Sequence, residues 1–86
     1  MSFTRTKRFT RAYKKLSPDQ QKMIKAALLK MDQNINHPSL RVKRIRGTEN
    51  IWEASASMNL RITFSRQEEV ILLRNCGEHD RTLQKP

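Results

Sequence analysis

V-I-L-L-R-N-C-G-E-H-D-R-T-L, running from Val70 to Leu83, is the stretch whose reading decides the fold. Four consecutive apolar residues, Val70 to Leu73, stand in a chain of which only 36% is hydrophobic and 30% is charged. A short apolar run bounded by charge and by a glycine reads as a strand buried on both faces. Gly77 then breaks the strand, and His79, Asp80 and Arg81 follow directly. An interior strand that delivers an imidazole, a carboxylate and a guanidinium at its C-terminal end is a rigid mount for a functional site.

Moving back from this strand, Arg66 to Glu69 reads as a polar turn, and two alternating segments precede it. Leu60 to Ser65 places Leu60, Ile62 and Phe64 inward and Arg61, Thr63 and Ser65 outward. Ile51 to Met58 places Trp52, Ala54, Ala56 and Met58 on one face and Glu53, Ser55 and Ser57 on the other. Alternation with two alanines makes Trp52 a core residue rather than a stacking platform. Asn59 and Gly47 to Asn50 supply the turns. Leu40 to Arg46, L-R-V-K-R-I-R, is a strand with an irregularity, because Leu40, Val42 and Ile45 do not alternate strictly.

The first third of the chain has a different period. Phe9, Ala12, Tyr13 and Leu16 share one helical stripe, with Thr6 as the N-cap. Ser17-Pro18-Asp19-Gln20 starts a second helix running to about Asn34. Ser17 and Gln20 form a capping box, and Pro18 suits the first helical position. Only Ser17 separates the two patterns, so they predict an antiparallel helical hairpin. Ser2 to Arg5 is a short first strand. His37-Pro38 lies in the loop after the second helix, with no second ligand near it.

The predicted fold is therefore α+β, in the order β-α-α-β-β-β-β, as one domain over residues 1–86. A helical hairpin covers only one face of a mainly antiparallel sheet. The other face, with Glu53, Ser55, Ser57, Arg61 and Thr63, is expected to be open and polar.

The formal net charge of +10 is unevenly spread. Met1 to Arg46 carries 13 Lys/Arg against Asp19 and Asp32, whereas the remaining 40 residues carry 5 against 6 acidic groups. Such an excess favours a polyanionic partner, nucleic acid foremost. Lys43, Arg44 and Arg46, beside the open face, read as contacts to a nucleic-acid backbone. A single cysteine, Cys76, excludes an intramolecular disulfide and a cysteine-based zinc cluster, and its place on an apolar strand predicts a buried thiol. No cofactor, no metal and no membrane contact are expected. The chain has no signal-peptide pattern and no apolar run of membrane length, so a cytoplasmic location is the expectation.

The succession of a helical hairpin, L-R-V-K-R-I-R-G at Leu40 to Gly47, I-W-E at Ile51 to Glu53, N-L-R-I-T-F at Asn59 to Phe64 and L-L-R-N-C-G-E-H-D at Leu72 to Asp80 resembles the RelE/ParE superfamily of type II toxins. The resemblance covers nearly the whole chain. It implies a toxin neutralised by a cognate antitoxin protein, with operator DNA bound only by the toxin–antitoxin complex. Many members are ribosome-dependent endonucleases of messenger RNA. The ParE branch instead poisons DNA gyrase, and a degenerate toxin would keep only antitoxin or nucleic-acid binding. In RelE-type members an arginine at the position of Arg61 binds phosphate, and in YafQ-like members a histidine at the position of His79 is catalytic. RelE's two lysines on the preceding strand match Glu53 and Ser55 here, and its terminal tyrosine has no counterpart, so the YafQ-like arrangement is the better fit.

That resemblance implies metal-free RNA cleavage. A base must take the 2′-OH proton, an acid must protonate the leaving 5′-oxygen, and cations must stabilise the phosphorane. Histidine serves either proton transfer near neutral pH. Arg61 and Arg81 are the candidate phosphate forks, Asp80 either orients His79 or is a turn residue, and Glu53, if it lies in the cleft, is a candidate base.

Overall fold

The computed structural model describes all residues from Met1 to Pro86. Its elements are β1 (Ser2–Arg5), α1 (Lys7–Lys15), α2 (Pro18–Gln33), a single 3-10 turn at Pro38–Leu40, β2 (Lys43–Arg44), β3 (Trp52–Ser55), β4 (Leu60–Gln67), β5 (Val70–Glu78) and α3 (His79–Gln84). The five strands form one sheet in the order β1-β5-β4-β3-β2. From β2 to β5 the strands are antiparallel, as their short connections require. β1 pairs parallel to β5 because the helical hairpin carries the chain away before the sheet resumes.

Both helix starts are made by the predicted caps. The Thr6 hydroxyl accepts the Phe9 N–H at 3.0 Å. Ser17 Oγ accepts the Gln20 N–H at 3.2 Å, and Gln20 Oε1 accepts the Ser17 N–H at 3.0 Å. Gln21 Nε2 donates to the Tyr13 carbonyl at 3.0 Å and ties the two helices together. The hairpin buries Phe9, Ile24, Ala27 and Met31 against Ala54, Ile62, Phe64, Ile71, Leu73 and Cys76 of the sheet. At roughly 1.5–3 kcal/mol for each large apolar side chain removed from water, this one cluster supplies most of the driving force for so polar a chain.

Several expectations are corrected. β5 does not end at Gly77; it continues through Gly77 to Glu78 and passes directly into α3, a third helix that the sequence reading missed. Nor is its apolar run buried on both sides, since Val70 remains 39% exposed. The strand expected over Leu40 to Arg46 shrinks to Lys43–Arg44, because Leu40 closes the 3-10 turn and Arg41 takes a left-handed φ of 49°. β3 stops at Ser55, short of Met58. Met58 stands 88% exposed on the following turn instead of facing the core.

The largest correction concerns the outward face. It was expected to be open, yet Thr63 is 0% and Glu53 only 8% exposed. α3 and the residues after it fold back over the sheet. The Thr63 hydroxyl and Arg74 Nε each donate to the Pro86 carbonyl at 3.0 Å, and Asn75 Nδ2 donates to the Lys85 carbonyl at 2.9 Å. An irregularity in the β4–β5 register between Thr63 and Phe64 leaves Arg74 without a cross-strand partner. Consecutive strand residues point to opposite faces, so Phe64 fills the helix side while Thr63 lies beneath the C-terminal segment.

Candidate functional site

The register brings the candidate residues to one end of the sheet. Ser55, Arg61 and Gly77 lie abreast on β3, β4 and β5, and two positions along, on the same face, stand Glu53, Thr63 and Asn75. Beyond Gly77, Leu60 pairs with Glu78, and the His79 N–H donates to the Asn59 carbonyl at 2.7 Å. Arg61 and His79 thus rise from neighbouring strands, two positions apart in register.

Gly77 allows the strand to hand over to α3 there. Its φ is +144°, a conformation that side-chain-bearing residues rarely adopt. A Cβ at this position would also come within 3.1 Å of Thr82 Oγ1. Glu78 then caps α3, its two carboxylate oxygens accepting the Asp80 and Arg81 N–H groups at 3.3 Å each. The cap commits Glu78 to the backbone. It leaves His79 at the first helical position, with its side chain 44% exposed.

His79 Nδ1 lies 2.9 Å from Asp80 Oδ1. The pair is the predicted one: the carboxylate fixes the ring and leaves Nε2 as the free nitrogen. Asp80 is itself 81% exposed, so the contact orients more than it stabilises.

Arg61 is placed differently from a free phosphate ligand. Its Nη1 donates to the carbonyls of Ser57, Leu60 and Met58 at 2.7, 3.0 and 3.1 Å. Its Nε is buried without a hydrogen-bond partner, 3.7 Å from Glu53 Oε1. The arginine and glutamate side chains are only 13% and 10% exposed. Arg61 therefore holds the β3–β4 turn closed, and Glu53 is its buried counter-ion rather than a carboxylate open to solvent.

Arg81 is exposed. With Arg8, Arg11 and Lys15 it lines a groove of about 490 Å³ between α1 and α3, floored by Asn75 to Glu78. Arg8 Nη1 donates to the Lys85 carbonyl at 3.0 Å, joining the two walls. The α1 cations Arg8, Arg11 and Lys15 lie off the apolar stripe of their helix, and the sequence assigns them no site role. The signal that would have found them is the short β1, whose pairing with β5 stops at Leu73 and leaves the end of β5 beside α1.

Lys43 and Arg44 lie on the edge strand β2, three strand spacings from β5, roughly 14 Å away. Lys43 pairs in register with Glu53. The Arg44 guanidinium bonds the Thr48 carbonyl and braces the following turn, where Arg46 is exposed. These three residues form a basic margin separate from the α1–α3 groove.

Trp52 lies on the core side as expected but is only half-buried. Its Nε1 donates to Asn50 Oδ1 at 3.2 Å, and the Arg66 guanidinium sits 5.1 Å from the ring centre. Cys76 is 3% exposed, and burial pushes its thiol from an ordinary value of 9.0 up to about 12, so it is no nucleophile. No group of three or more His, Cys, Asp or Glu side chains converges in a way that could hold a metal ion. No helix is long and apolar enough to cross a membrane.

No protein-family model matches the chain, and no curated protein matches it by sequence. Solved structures do match by shape. YafQ from E. coli superposes with a TM-score of 0.76 at 7% identity, over 90% of this chain and 91% of that one. A YoeB/ParE toxin from Agrobacterium tumefaciens gives 0.74 at 12% identity, over 92% and 99%. A chain from the RelB–RelE antitoxin–toxin complex of Methanococcus jannaschii gives 0.70 at 19%, over 90% and 91%. At such identities the likeness establishes the fold alone.

Proposed function

This chain carries the fold of the RelE/ParE superfamily of toxins, and from that premise we propose that it is the toxin of a type II toxin–antitoxin pair and cleaves messenger RNA on the ribosome. The observation that supports the reading is the register, which sets Arg61 opposite Gly77 with the His79–Asp80 pair following two residues on at the same end of β4 and β5. The basic groove of Arg8, Arg11, Lys15 and Arg81 beside it supports a polyanionic substrate.

In the proposed reaction the 2′-oxygen attacks the adjacent phosphorus, and the bond to the 5′-oxygen breaks. The products are a 2′,3′-cyclic phosphate and a 5′-hydroxyl. His79, held in orientation by Asp80 through Nδ1, takes the 2′-OH proton at Nε2, and water protonates the departing 5′-oxygen. Arg81 supplies charge to the phosphate. Arg61 contributes only after its Nη1 leaves the turn carbonyls, because in the free protein those donors are occupied. Glu53 holds the Arg61 guanidinium and is not the base; the ribosome completes the site by positioning the message. An antitoxin partner is part of the same reading, since RelE occurs in complex with RelB among the matching structures.

Two assays test the proposal. Purified protein added to a reconstituted translation system is expected to cut ribosome-bound message and to leave the same RNA intact without ribosomes. Rapid cleavage of the naked RNA would overturn the dependence on the ribosome. A second reading, a ParE-like gyrase inhibitor, draws on the engagement of Arg61 with its own turn, which leaves fewer free groups for catalysis. Inhibition of gyrase supercoiling with translation unaffected would select it.

A further inference from the structure

A groove of about 450 Å³ lies between α2 and the β3–β4 turn, away from the His79 site. Its lining contains three cations, Lys30, Arg41 and Arg61, and not one carboxylate. Its walls include two exposed thioethers, Met23 at 44% and Met58 at 88% exposed. Both violate the expected burial of methionine, and neither contributes to the core.

At the rim of the groove is a compact polar cluster. Ser39 Oγ lies 2.8 Å from His37 Nδ1, and Lys30 Nζ donates to it at 3.3 Å. The Ser39 N–H also donates to His37 Nδ1 at 3.1 Å, so this nitrogen is an acceptor and the hydroxyl proton points to it. The serine oxygen is thus fixed beside an ammonium group, with Arg41 two residues on. A hydroxyl and an ammonium in contact, with the Arg41 side chain lining the same groove, match a single phosphate better than charges spread along a peptide.

We propose that this groove is a nucleotide-binding subsite: one phosphate sits against Lys30, Ser39 and Arg41, and the base lies between Met23 and Met58. Thioether contact with an aromatic ring is favourable and tolerant of base identity. A volume of about 450 Å³ is that of a small-molecule cleft and accommodates a mononucleotide. Arg61 borders both this groove and the β4–β5 end of the sheet. A nucleotide seated here would therefore approach the turn whose carbonyls now hold the Arg61 guanidinium. The inference rests on the RNA-directed reading above, but its test involves no cleavage, so the two can fail separately.

The test is a titration of the isotope-labelled full chain, followed by amide and methionine-methyl NMR. Adenosine 5′-monophosphate is expected to move Lys30, Ser39 and Arg41 together with the Met23 and Met58 methyls, with one saturable constant. Inorganic phosphate should move the first three residues and leave both methyl groups still. Lys30→Ala, an exposed change, should weaken nucleotide binding about tenfold, and Met58→Ala should weaken the nucleotide but not phosphate. Shifts spread evenly over the α1 cations, or none in the groove, would overturn the proposal. So would an acidic amphipathic peptide that saturates the groove where the nucleotide does not.

Discussion

Arg61 is held by the turn it follows, and this constrains what its substitution means. Its guanidinium bonds three carbonyls and faces Glu53 in a nearly dry setting. Arg61→Ala leaves the glutamate buried without a counter-charge, so a loss of roughly 3–5 kcal/mol in urea unfolding is expected. Restoring neutrality with a second change, Glu53→Gln, should recover part of that loss. Equal loss in the single and double variants would show that the pair is not coupled. Any activity defect of Arg61→Ala must therefore be read beside its stability. His79 carries no such burden: its side chain is 44% exposed and Asp80 is its hydrogen-bond partner. Cys76 gives a pH prediction. The thiol stays neutral in the fold until about pH 12, whereas in the unfolded chain it ionises near 9.0. The folded state therefore holds one more proton between these values, and stability falls as pH rises, by about 1.4 kcal/mol per unit. Wild type should lose stability faster than Cys76→Ala above pH 9, and parallel curves would refute the assignment. Of these residues, the His79–Asp80 contact is local and so within reach of the sequence. The sequence could not show the Arg61 partners, which depend on how the β3–β4 turn closes.

Among the elements, the helical hairpin was legible because everything that makes it lies within a few residues: two caps, one proline and one apolar stripe. Ser17→Ala removes one of the two reciprocal capping bonds and should cost about 1 kcal/mol in thermal or chemical unfolding, Ser17→Gly only a few tenths. An unchanged midpoint for the alanine variant would contradict the cap's role. α3 was not legible. It has six residues, a glutamate cap and no stripe long enough to register a period. Its stability comes from distant contacts, with Thr82 buried over Gly77. Gly77→Ala meets two obstacles at once, the positive φ and the Thr82 hydroxyl. A loss of about 1–3 kcal/mol is expected, recovered only in part by adding Thr82→Ala, which opens space but leaves the backbone strain. Full recovery would show that φ carries no cost there. β2 was overestimated for a related reason. A basic run on a sheet edge has few partners to hold it extended, and the turn of Pro38–Leu40 takes its first residues.

Across the whole molecule, a fold shared with proteins only 7–19% identical is maintained by pattern rather than by particular residues. That explains how the order β-α-α-β-β-β-β could be read while the face it leaves open could not. The covering of Thr63 depends on contacts with the C-terminal residues, Pro86 lying 23 positions away, and the burial of Glu53 goes with its pairing to Arg61. The charge asymmetry was legible, but only the fold divides it into a groove by α3 and a margin by β2. Proton transfer of the kind assigned to His79 contributes roughly 10²–10⁴-fold in rate. The most direct measurement is primer extension on cellular messages after a short pulse of expression, comparing wild type with His79→Ala at matched protein level and matched melting temperature. New 5′ ends at ribosome-occupied codons are expected in wild type, with a loss of at least about a hundredfold in their intensity in the variant. Undiminished cuts from His79→Ala, or arrest of growth by wild type with no cuts at all, would contradict the proposed reaction.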